Sequence, residues 1–129
     1  MNIYLLVAAV LASITCVGHF VIAKPQLLCS KRQADFDPTT ITLMHCVFHY
    51  VSIFLVLSTL VLFACGLQWV PRMQTYALAL FISLNFMLFA IWQIYIGYFA
   101  EVKSVRRVQF HWVFFIIISV FTLLGVFTG

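Results

Sequence analysis

Four stretches of this chain contain no Asp, Glu, Lys or Arg: residues 1–23, 38–71, 73–100 and 108–129. Each is longer than the roughly 20 apolar residues that carry a helix across a hydrocarbon core about 30 Å thick. In lipid every backbone N–H and C=O has to find its partner inside the protein, so segments of this kind are expected as helices. Composition agrees: 65% of the 129 residues are hydrophobic and 8% are charged, where a soluble domain is about 45–50% apolar. The expected fold is an all-α, integral membrane four-helix bundle, one domain over residues 1–129, with spans at about 2–23, 41–67, 74–98 and 108–127. No internal repeat, low-complexity tract or room for a soluble domain interrupts it.

The first run reads as a retained helix and not as a cleaved leader. No Lys or Arg precedes it, and it is longer than the usual h-region of about 7–15 residues. The missing positive segment argues equally against a lipoprotein cleavage before Cys16. Pro25 follows the first span, Asp37 stands as an N-cap with Pro38 at the first helical position, and "QWVPRMQ" makes a tight turn around Pro71. Orientation follows from the short loops. Lys24, Lys31, Arg32, Lys103, Arg106 and Arg107 fall on one side, and Arg72 alone falls on the other. Loops one and three are therefore expected in the cytoplasm, with both termini and the Pro71 turn on the non-cytoplasmic side of what would be a bacterial inner membrane. Tyr4, Trp69 and Tyr76 then mark the outer interface, and Tyr95, Tyr98 and Trp112 the inner one. Orientation and anionic lipid head groups account for the net charge of +4 without a nucleic-acid partner.

Threaded through this topology, all four histidines fall on the cytoplasmic side. From the helix rise, His19 and His45 are expected roughly 6–7 Å below the boundary, His111 about 4–5 Å and His49 about 12 Å. "CVGH" (16–19) and "CVFH" (46–49) repeat a Cys-x-x-His spacing on the two spans that loop one joins, and residues three apart share a helix face. Those spans run antiparallel, which brings Cys16 near the depth of His49, and His19 near that of His45 and Cys46. Small or polar stripes mark the faces expected to turn inward: Ala8, Ala12, Cys16 and His19 on the first span, and Thr42, His45, His49, Ser52 and Thr59 on the second. Asn85, Gln93 and Gly97 do the same on the third, and His111, Ser119, Thr122 and Gly125 on the fourth.

Imidazole and thiolate are good ligands for zinc or copper, so Cys16, His19, His45, Cys46 and His49 are the candidate metal ligands. The second cofactor reading is a haem b held by two histidines across the bundle, His19 or His111 opposite His49. Against both stands a purely structural use, in which the same histidines hydrogen-bond across helices to Ser, Thr, Gln93 or carbonyls at about 0.6–2 kcal/mol each. Cys65 reads as a small packing residue and Cys29 as a thiol in a reducing compartment, so no disulfide framework is indicated. No carboxylate lies within a span, no central Gly or Pro breaks a span, and no Ser-His-Asp set or glycine-rich phosphate loop arises within the membrane.

The segments "GHFVIAKPQLL" and "HCVFHYVSIFLVLSTL", with "HWVFF" opening the last span, resemble a family of small bacterial four-helix inner-membrane proteins. There a Gly-His near the end of helix one precedes a histidine at the start of helix two. The resemblance covers the first half of the chain best, carries Gly18, His19, His49 and Ser52, and implies no activity. The expected function is that of a small multi-pass membrane protein without catalytic residues. Its polar helix face would pack against a second copy or a larger membrane complex, and the metal- or haem-binding protein stands as the alternative.

Overall fold

The structure, a computed structural model, describes residues 1–23, 25, 37–99 and 111–128. Its described residues form four helices: α1 (Ile3–Gly18, continued by a π-helical turn His19–Ala23), α2 (Pro38–Gly66), α3 (Arg72–Phe99) and α4 (His111–Thr128). The all-helical architecture is as expected. Ile3–Ile22, Pro38–Gly66 and Arg72–Phe99 are long and apolar enough to cross a membrane, and the apolar part of α4, Trp112–Thr128, is shorter within the described residues. The expected loops one and three, with Cys29 and most of the charges, lie outside the described residues.

Local chemistry sets the helix ends. Asp37 caps α2 as its sequence position suggests: its carboxylate accepts from the Thr39 amide at 3.1 Å, and Pro38 opens the helix. At the far end of α2, Gln68 adopts φ 62°. Its amide donates to the Cys65 carbonyl at 3.1 Å, and the Trp69 amide donates to the Ala64 carbonyl at 2.9 Å. That pair of bonds is a Schellman ending, with glutamine in the left-handed position that glycine normally fills.

The helices do not stand in sequence order. α3 and α4 pack most extensively, α1 lies against both α2 and α4, and α2 touches α3 far less although a five-residue turn joins them. The spatial order is therefore α2, α1, α4, α3. α1 can sit between two neighbours because its inward face is small: Ala8, Ala9 and Ala12 are fully buried, which lets backbones approach closely. Glycines receive its first turn from either side. A Cβ on Gly66 would lie 2.8 Å from the Leu6 side chain and 3.1 Å from the Leu6 amide, and one on Gly125 would lie 2.7 Å from Leu5 Cγ and 3.2 Å from the Leu5 amide.

Two further contacts join the remaining helices. Ser83 of α3 and Ser119 of α4 are buried and face each other, with hydroxyl oxygens 2.8 Å apart and each within 3.1 Å of the other's backbone carbonyl. Two hydroxyl hydrogens serve three contacts, so the pair shifts between donor patterns without leaving an orphan. Where α2 and α3 stand apart, phenyl rings fill the space: Phe54 meets Phe89 at 5.3 Å, and Phe86 meets Phe115 of α4 at 5.7 Å, in tilted and edge-on arrangements.

Gly125→Val is expected to drive α1 away from α4 and lower stability by about 1–3 kcal/mol, read by denaturant titration in detergent. Gln68→Gly is expected to move stability the other way, raising it by roughly 1 kcal/mol through relief of the left-handed glutamine.

Candidate functional site

The sequence directs attention to the end of the bundle where α1 finishes and α2 begins. The last turn of α1 widens into its π turn at His19, a local change that often serves to re-aim a side chain. The His19 ring stacks on Phe48 of α2 with centroids 4.6 Å apart and planes 16° from parallel, and its Nε2 lies 3.0 Å from Ser52 Oγ. Phe20 closes the group edge-on against Phe48. The Ser52 hydroxyl donates to the Phe48 carbonyl at 2.7 Å, so towards His19 it accepts, and the imidazole donates from Nε2.

This pair superficially resembles a nucleophile with its base, but the protons run the wrong way. A general base would take the Ser52 proton, and here the hydroxyl points that proton to the Phe48 carbonyl. Ser52 is also buried, 5% exposed, which closes it to a substrate. The arrangement ties α1 to α2.

The other candidates are placed differently. His49, expected on the inward face, is exposed, and its Nδ1 donates back to the His45 carbonyl at 2.7 Å. The reason is helical register: the stripe that α2 turns to its neighbours runs Phe48, Ser52, Leu55, Thr59 and Leu62, at steps of three and four. His49 and Cys46 sit to one side of that stripe, so the shared Cys-x-x-His spacing does not become a shared site. Thr42 is likewise exposed. His45 and Cys46 are half-buried, as is Cys16, and the His45 and His49 rings stand 6.3 Å apart. Among the described residues, no group of three or more His, Cys, Asp or Glu side chains is arranged to hold a metal. His111 opens α4, and its side chain lies outside what is described. Gln93, expected to serve the histidines, has a buried Oε1 with no hydrogen-bond partner among the described residues.

Sequence reasoning missed the opposite end of the bundle. The starts of α1 and α3 and the ends of α2 and α4 surround an open cleft of about 720 Å3 that includes Asn2, Tyr4, Arg72, Thr75 and Tyr76. Arg72 entered the sequence reading only as a topology marker and Gly125 only as a small residue. The isolated basic residue in an otherwise uncharged turn was the one signal available. With the geometry of both ends in place, comparison with known protein families, curated proteins and solved structures finds no match for this chain.

His19→Ala and Ser52→Ala are each expected to destabilise the bundle, with a coupling energy of about 0.6–1.7 kcal/mol in a double-mutant cycle. His49→Ala is expected to stay within about 0.5 kcal/mol of the parent in the same titration.

Proposed function

We propose that the chain is a small multi-pass membrane protein of the bacterial inner membrane that acts by association, with a second copy or a larger membrane partner, and not by catalysis. The carrying observation is where its polar side chains go. Ser83, Ser119 and Ser52 are buried and bonded across helices, and His19 is bonded to Ser52. The outward surface is correspondingly apolar, with Ile53, Leu57 and Leu60 of α2 and Leu84, Leu88 and Ile91 of α3 all exposed. His19 and these serines are thus occupied in holding helices together, and large apolar side chains face whatever surrounds the bundle.

The loose packing of α2 on α3 supports association as the mode of action, because it leaves apolar faces of both helices uncovered. In this reading both termini and the Pro71 turn lie on the non-cytoplasmic side, drawn there by the bias of Lys and Arg toward the other loops.

Two measurements test the proposal. A membrane-impermeant maleimide is expected to label Cys29 from the cytoplasmic side only, and a cysteine introduced by Gln68→Cys from the opposite side only. Purified protein in detergent is expected to be colourless and free of stoichiometric metal. A Soret band or bound metal that disappears in His19→Ala or His49→Ala would instead establish the cofactor-binding alternative, with His111, Cys16, His45 and Cys46 as the further ligands to test.

A further inference from the structure

The cleft at the Pro71 end, about 720 Å3, falls within the roughly 300–1,000 Å3 usual for ligand sites. We propose that it binds the head group of an anionic phospholipid, with the Arg72 guanidinium on the phosphate and the first acyl methylenes against Ile3 and Val70. The inference rests on the membrane-spanning reading above and extends it to a ligand.

Charge carries the first part. Arg72 is the only charged side chain among the described residues that line the cleft. Asp37 caps the opposite end of a 29-residue helix, roughly 43 Å away by helix rise, so it does not compete for the guanidinium. A guanidinium presents a planar fork that matches two phosphate oxygens. The backbone adds to it, because α3 begins here. The Thr75 amide is the first to find a carbonyl, that of Pro71 at 2.9 Å, and the amides of Arg72, Met73 and Gln74 ahead of it have no helical acceptor. Four carbonyls at this end are occupied: those of Gly66 and Gly125 by Asn2, those of Cys65 and Ala64 by the capping amides.

Shape and depth carry the second part. Apolar side chains with accessible surface line the cleft beside Arg72, Ile3 being 65% exposed, Val70 half-buried and Pro71 exposed, and Tyr4 and Tyr76 of the same lining are 38% and 40% exposed. Inorganic phosphate would match Arg72 and leave those apolar side chains unused. A phospholipid matches both, and half-exposed tyrosines are the side chains expected at head-group level.

The test uses the full chain purified in a non-ionic detergent and titrated with short-chain lipids. Dihexanoyl phosphatidylglycerol is expected to raise the melting temperature saturably, and dihexanoyl phosphatidylcholine is not. Arg72→Gln is expected to weaken the phosphatidylglycerol response by about tenfold, the loss of one charge-assisted contact, while leaving the lipid-free melting temperature unchanged because Arg72 is exposed. Arg72→Lys is expected to fall between the two. Equal responses to both lipids, an undiminished response in Arg72→Gln, or equally tight saturation by inorganic phosphate would each overturn the assignment. Failure to bind phosphatidylglycerol in a protein that still needs detergent overturns the cleft alone; solubility without detergent removes the membrane reading beneath it.

Discussion

Asn2 bonds in every direction available to it. Its Oδ1 accepts from the Tyr4 and Leu5 amides at 3.2 and 3.3 Å, its Nδ2 donates to the Gly125 carbonyl at 2.6 Å, and its own amide donates to the Gly66 carbonyl at 2.9 Å. One residue thus caps α1 and joins it to the ends of α2 and α4. Four bonds from this one half-buried residue fix α1 in height and rotation. The two glycines beside Asn2 make the approach possible, because a side chain at either would collide with the first turn of α1. The central place of α1, the cleft next to it and the alignment that brings His19 to Ser52 at the other end all follow from that seating.

Polar contacts elsewhere work on the same principle. The Ser83–Ser119 pair fastens α3 to α4, and His19–Ser52 fastens α1 to α2. Between α2 and α3, Phe54 meets Phe86 and Phe89, and near the Pro71 turn the Cys65 and Thr75 side chains are hydrogen-bonded. Beyond that one pair, hydrogen bonds hold the chain along the path α2, α1, α4, α3, and the seam between the first and last of these is the least constrained.

Much of the fold was legible in the residues. The uncharged runs gave four helices, Asp37 and Pro38 marked the start of α2, and the small or polar stripes on α1 and α4 identified Ala8, Ala12, Ser119, Thr122 and Gly125 as inward positions, all of them buried. The candidate site was half legible. His19 and Ser52 are together, but His49 is not with them, because a Cys-x-x-His spacing records distance along a helix and not which way that helix is rotated. Asn2 and the cleft beside it carried no recognisable spacing at all, since their partners are 64 and 123 residues away along the chain.

Hydropathy and charge placement by themselves determined that the chain forms helices and roughly where those helices start and stop. These are consequences of backbone hydrogen bonding and desolvation, which act on each segment separately. Which helices become neighbours, how each is turned, and that four helix ends enclose a cleft around Arg72 were decided only in the tertiary structure. Those outcomes depend on whether two surfaces fit, as Gly125 fits Leu5 and Phe48 fits His19, and fit is a property of pairs that no single segment contains.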